Sequence, residues 1–200
     1  MGAATKIRTS LYVKMANVEA AFRNLHQDLL DGCKTGDQKA QFQIYKLYYK
    51  AMYNTSLRIV NDTMEAEDIM QESFLSAFEK IDSYSGTVSF GAWLKKIVIN
   101  RSLDALNRRK AIFEDIDSHT GIKDESNEDL SRQEEVDFKV EEIKDAIEKL
   151  PDGYRIILSL YLLEGYDHDE IGEILSISSS TSRSQLSRAK QKLIAELKKK

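Results

Sequence analysis

Two hundred residues, 42% hydrophobic and 31% charged, with one proline and nine glycines, leave room for one ordinary domain or two small ones and favour helices over a hairpin-rich β-fold. One cysteine, Cys33, excludes an intramolecular disulfide and a Cys-rich zinc site, and the scattered His26, His119 and His168 lack metal-ligand spacing, so no metal or other cofactor is expected. The net charge of -4 argues against a nucleic-acid partner only until it is divided: residues 1–110 carry +4, residues 111–138 carry -8 and residues 139–200 carry zero.

Ala, Leu, Lys, Glu, Gln and Ile recur at helical spacing and strict alternation is scarce, so the fold class is all-α: two small helical domains joined by a flexible acidic linker. Residues 1–17 are weakly periodic and read as a loose tail, with Met15 a second candidate start. The stretch MGAATKIRTSLYVK lacks the continuous apolar core of a signal peptide, and no run reaches membrane-spanning length. A cytoplasmic protein without membrane insertion is expected.

The first domain is expected over residues 18–110. A helix from Val18 to Asp31 should end at Gly32, placing Cys33 as a small residue near a helix end. Gly36-Asp37 should open a longer helix with its apolar residues at Phe42, Tyr45, Tyr48, Tyr49 and Met52. Asp62, followed three residues later by Glu65, starts another helix with a capping box. Along it Ala66, Met70, Phe74, Ala77, Phe78 and Ile81 gather on one side, and Glu65, Asp68, Glu72 and Glu79 on the other. Spacing alone favours a solvated acidic face, with a docking surface for a basic partner as the sharper alternative.

A loop from Asp82 to Ser89 leads into a helix from Phe90 to about Arg109, where Lys95, Lys96, Arg101, Arg108, Arg109 and Lys110 face Asp104 alone. Cations beside Tyr84, Phe90 and Trp93 suit single-stranded nucleic acid, since rings stack on unpaired bases and charges meet phosphates. An ordinary core of Phe90, Trp93, Leu94 and Ile97 beneath a basic surface fits the periodicity equally well. Residues 111–138 have too few large apolar side chains to offset ordering entropy and read as a tether.

The second domain is expected over residues 139–200. Glu141 to Leu150 and Tyr154 to Leu163 are helical, separated by Pro151-Asp152-Gly153, and Gly165 ends the second. Asp169 to Leu175 is a short helix, with Ile171, Ile174 and Leu175 buried and Gly172 allowing close helix approach. Ser176-Ile177-Ser178 is a tight turn, and Ser178 caps a helix whose Leu186, Ala189 and Leu193 face inward. This is helix-turn-helix spacing. Acidic residues occupy the first helix and its approach, whereas Ser176 to Lys200 carries seven Lys+Arg against Glu196 alone. DNA binding explains that segregation better than a plain helical pair does.

Two motifs, EAEDIMQESFLSAFEKI with FGAWLKKIVINRSLDALNRRK and LPDGYRIILSLYLLEGYDHDEIGEILSISSSTSRSQLSRAK, together resemble the extracytoplasmic-function sigma factors of the sigma-70 family. The resemblance implies a non-enzymatic factor with core RNA polymerase and promoter DNA as partners, and it admits an anti-sigma factor as a third. It implies polymerase contacts at Asp68, Gln71 and Glu72, with Glu65. Tyr84 to Ser89 and Phe90 would pocket a flipped base of the -10 element, with Trp93, Lys96, Asn100 and Arg101 along the melted strand. Arg183, Ser184, Ser187 and Arg188 would face the -35 groove, with Ser180, Thr181 and Lys190 on phosphates, and the linker would thread toward the RNA exit path. Two departures stand out: Ser176 replaces the turn's usual glycine at a left-handed position, and Ser182 replaces a small apolar residue and should loosen packing. The competing reading is a helix-turn-helix regulator that works without polymerase.

Overall fold

In a computed structural model, the described residues are 26–116 and 140–199, and every element among them is helical. In chain order they are α1 (Gln27–Lys34), α2 (Gln38–Val60), α3 (Thr63–Glu79), a 3-10 turn (Ile81–Ser83), α4 (Phe90–Ile116), α5 (Val140–Glu148), α6 (Asp152–Leu158), a π-helical turn (Ser159–Leu163), α7 (His168–Leu175) and α8 (Ser179–Leu197). The tail over 1–17, the start of the first expected helix and most of the acidic linker lie outside the described residues. No helix among the described residues is long and apolar enough to cross a membrane.

Contacts group residues 26–53 with 68–98 in one unit, and 54–67 with 99–116 and 140–199 in a second. The first unit is an aromatic-rich core. Leu30, Ile44, Met52, Met70, Phe74 and Leu94 are buried at its centre, with Tyr45, Tyr48, Tyr49 and Trp93 packed on its edge. The apolar side expected for α3 is here: Met70, Phe74 and Ala77 are buried, and Phe78 packs on the cluster. Cys33 is buried in the same cluster, and burial, helped by the charge of Asp37, pushes its thiol above the ordinary range.

Three expectations need correction. Helix α1 does not stop at Gly32 but runs to Lys34, and Gly36, with φ 79°, makes the break. Gly32 serves proximity instead, since a Cβ there would lie 2.7 Å from the Cβ of Ala40. Phe42 is 58% exposed, with the ammonium of Lys46 over its ring at 5.3 Å. Helix α4 runs past Arg109 to Ile116, so the acidic segment begins as helix.

In the second unit the last turn of α2 is capped by one backbone N–H and two arginine side chains. The carbonyls of a helix's final turn have no partners within the helix, and here each finds a donor. Asn61, left-handed at φ 56°, donates its N–H to Leu57 O. Arg155 donates from Nε to Arg58 O at 3.1 Å and from Nη2 to Ile59 O at 2.9 Å. Arg109 donates to Val60 O at 3.1 Å and reaches Glu65 at 3.3 Å. Two guanidinium groups at a helix C-terminus are also favoured by its partial negative charge.

Candidate functional site

The C-terminal helices build the helix-turn-helix from short-range chemistry. Asp167 accepts the N–H groups of Asp169 and Glu170, and Glu170 answers by accepting the N–H of Asp167, a full capping box that starts α7. Ser176 ends it in the left-handed region at φ 55° and ψ 42°, as its place in the turn requires. Gly172 is buried, and a Cβ on it would stand 2.8 Å from Ile177 O. Ser178 then caps α8, accepting from the N–H of Thr181 at 3.0 Å.

Ser176 carries a small, removable strain. A left-handed residue with a Cβ costs about 1–2 kcal/mol, and glycine's larger unfolded-state entropy returns part of any gain. Ser176→Gly is therefore expected to stabilise the protein by about 0.5–1 kcal/mol, read as a rise in the midpoint of thermal unfolding.

Helix α8 is two-faced. Ser182, Leu186 and Ala189 are buried, while Ser180, Arg183, Ser184, Ser187, Arg188 and Lys190 are exposed and Thr181 is partly so. Successive residues differ by about 100°, so residues 180, 183, 184, 187 and 188 fall on one outward stripe. Ser184 Oγ bonds Thr181 O at 2.9 Å, and Lys190 Nζ lies 5.7 Å from the ring centre of Tyr161. The expectation of loose packing at Ser182 is overturned. Its hydroxyl is fully buried and bonds His168 Nδ1 at 2.9 Å, and His168 is stacked on Tyr161 at 4.8 Å. A polar side chain with a partner packs there without penalty. Ile174 and Leu175, expected inside, are half-buried.

The loop and entrance of α4 form an aromatic cluster. Tyr84 packs on Phe90 at 5.6 Å and on Trp93 at 5.4 Å, and its hydroxyl donates to Val88 O at 2.7 Å, bracing the loop. Phe90 is 4% exposed and also packs on Tyr48, so it supports the other rings and is not itself open to a base. The two readings of this segment thus divide by residue: Phe90 and Leu94 are core, whereas Trp93 is half-exposed and Lys96 and Asn100 are exposed. Residues 93, 96 and 100 lie within one arc of α4, with Arg101, half-buried, beside it.

On α3 Asp68, Gln71 and Glu72 are exposed, opposite the buried Met70, Phe74 and Ala77. Asp62 caps the helix by accepting the N–H of Glu65 at 2.9 Å. The carboxylate of Glu65 is engaged by Arg109 at 3.3 Å. Among the described residues no group of His, Cys, Asp and Glu is arranged to hold a metal ion.

The structure also brings forward residues that periodicity passed over. Arg155, 2% exposed, donates from each of its three side-chain nitrogens, to three carbonyls and to Asp152, and Glu164 pairs with Arg58 at 2.7 Å. The signal was present in the sequence: an arginine inside the apolar run Tyr154 to Leu163 needs partners wherever that run is buried.

Comparison with known proteins agrees with this layout. Residues 44–112 match the family model for sigma-70 region 2, and residues 140–193 that for sigma-70, region 4. The ECF RNA polymerase sigma factor SigW of Bacillus subtilis is 31% identical over 178 residues, covering 82% of this chain and 92% of the relative. The chain belongs to the ECF sigma factors of the sigma-70 family.

The RNA polymerase sigma-H factor of Pseudomonas aeruginosa is 29% identical to this sigma factor, over 82% of the chain and 90% of the relative. Among solved structures, the sigma factor RpoE of Bartonella quintana, crystallised with the anti-sigma factor NepR, aligns with TM-score 0.55 and 22% identity, over 78% of this chain and 95% of that one. CnrH, solved with the cytosolic domain of CnrY, aligns with TM-score 0.52 and 22% identity, over 85% and 95%. The structural likeness is one of fold. As a sigma factor the protein serves transcription initiation and is a regulator, not an enzyme.

Proposed function

We propose that this sigma factor binds core RNA polymerase through the exposed acidic face of α3 and reads a bipartite promoter. Residues 18–110 engage the -10 element and residues 139–200 the -35 element, with residues 111–138 as the tether. The observation that carries this reading is the sorting of α8, whose buried Ser182, Leu186 and Ala189 leave Arg183, Ser184, Ser187 and Arg188 on a single outward stripe. Exposed cations and hydroxyls at the start of a recognition helix are what reading a major groove requires.

The roles divide further. Arg183 and Arg188, with Ser184 and Ser187, read base edges, while Ser180, Thr181 and Lys190 hold phosphates and set register. On α4, Trp93 stacks on an unpaired base with Tyr84 behind it, and Lys96, Asn100 and Arg101 follow the melted strand. Asp68, Gln71 and Glu72 contact polymerase, and Glu65 does so only in exchange with Arg109. An anti-sigma factor is a natural further partner, because the sigma factor RpoE named above was crystallised with one.

The test is reconstitution with bacterial core polymerase and a promoter library. Holoenzyme formation and initiation at a defined set of sites are expected, and failure of either overturns the proposal. In the holoenzyme Arg183→Ala should cost about 1–3 kcal/mol of discrimination at one position of the -35 element. Lys190→Ala should instead weaken all promoters alike and lower the salt slope by about 0.9. A polymerase-independent regulator would bind DNA fully without core enzyme, and Asp68→Arg would leave its activity unchanged.

A further inference from the structure

Between Ser179 and Lys190, the part of α8 that carries the outward stripe, the buried side chains are Ser182, Leu186 and Ala189. Leu186 alone of these is large. Apolar contact is non-directional, so one leucine between two small residues sets the depth of the helix more firmly than its rotation or tilt. Two polar contacts supply direction. Ser182 Oγ is hydrogen-bonded to His168 Nδ1 at 2.9 Å, and Lys190 Nζ stands over the ring of Tyr161 at 5.7 Å. Both contacts lead to one platform, because His168 is itself stacked on Tyr161 with their planes 24° apart. That platform is held by backbone on either side. His168 opens α7 inside the Asp167–Glu170 capping box, and Tyr161 lies in the π-helical turn closed by the N–H of Glu164 on Ser159 O at 3.0 Å. Ser182 and Lys190 are separated by about 12 Å along the axis, and Arg183, Ser184, Ser187 and Arg188 lie between them. One fixed point leaves a rod free to swing, and two fix its line.

We propose that His168, seated on Tyr161, is a positioning residue for promoter reading: through Ser182 it pins the rotation and tilt of α8, and so decides which base edge Arg183 meets. The inference rests on the reading of the -35 element by α8 given above. Arg183 directly follows the pinned residue, so it moves with any slip of the pin. Hydrogen bonds weaken steeply as their angle departs from linear. A small rotation of α8 therefore costs Arg183 its preference for one base, while the attraction of its charge to the phosphates, which does not depend on angle, persists. Loss of the pin shows first in specificity and only later in affinity, the reverse of what loss of a phosphate contact does.

The experiment removes the pin while keeping its shape. His168→Phe with Ser182→Ala deletes both hydrogen-bonding groups and keeps a ring on Tyr161, and replacing both partners of a buried hydrogen bond by apolar groups of similar shape is nearly neutral for stability. In holoenzyme made with the full chain and bacterial core polymerase, initiation is compared on promoters that differ at single positions of the -35 element. The double variant is expected to lose at least about fivefold of its discrimination at the position that Arg183→Ala also relaxes. Its midpoint of thermal unfolding should stay within about 2 °C of the unsubstituted protein. Tyr161→Leu, which takes away the seat of the imidazole, should lose discrimination at the same position. Unchanged discrimination in the double variant overturns the pin, as does a loss that merely follows a fall in midpoint across the variants. If Arg183→Ala itself relaxes no position, the -35 reading fails and takes the pin with it. If Arg183→Ala relaxes one and the double variant does not, the pin alone fails.

Discussion

Reversing two charges on α3 (D68R with E72R) is expected to abolish transcription in a reconstituted assay while leaving the protein folded. Both side chains are exposed, opposite the buried Met70, Phe74 and Ala77, and such surface substitutions ordinarily change stability by no more than about 0.5 kcal/mol. The cost falls on the complex. Losing one partner of a desolvated charge pair weakens an interface by about 2–5 kcal/mol, and reversal adds repulsion. Two such positions should together raise the Kd for core polymerase by at least about three orders of magnitude. Circular dichroism and thermal melting check the fold, and fluorescence anisotropy with labelled sigma factor checks binding. Normal run-off transcription by the double variant would remove the acidic face from the polymerase interface.

Gly172→Ala is expected to damage the DNA reader from within. The added methyl carbon would stand 2.8 Å from Ile177 O, a backbone atom in the tight turn between α7 and α8. A flexible side chain would swing aside, but this carbonyl is fixed by the turn that accepts the Ile177 N–H at Gly172 O and by the left-handed Ser176. The helices must separate or tilt. Overpacking of this kind costs about 1–3 kcal/mol, visible as a lowered denaturation midpoint. The same tilt displaces Arg183 and Arg188, so binding to the -35 element should fall at least tenfold in the holoenzyme. Unaltered stability and unaltered -35 preference would mean that the turn has slack.

Much of this was legible in the sequence, and the reasons differ by element. The helix-turn-helix could be read almost residue by residue because its determinants are local: a capping serine, a glycine at a close approach, a left-handed turn position, charges sorted by face. The apolar side of α3 followed from 3.6-residue periodicity. Phe42 was misplaced because one aromatic on a helix surface satisfies a periodic pattern without facing a core. Gly32 was misread because glycine marks either a break or a close contact, and only the position of Ala40 decides between them. Ser182 and His168 illustrate the harder limit: a buried hydroxyl is a defect or a fit depending on a partner fourteen residues away. Arg155 and Glu164 lay further out of reach, since nothing in local pattern says which carbonyls a buried guanidinium will find.

The burial of Cys33 has a consequence for signalling. The protein has one thiol, carried by α1 and packed 3% exposed in the aromatic-rich core, with its ionisation disfavoured by burial and by Asp37. A thiolate reacts by attacking a peroxide or a disulfide that reaches it, and burial together with a raised pKa opposes both requirements at Cys33. Thiol oxidation therefore has little direct purchase on this sigma factor, and a message in thiol chemistry is better carried by a second molecule that holds the reactive group itself.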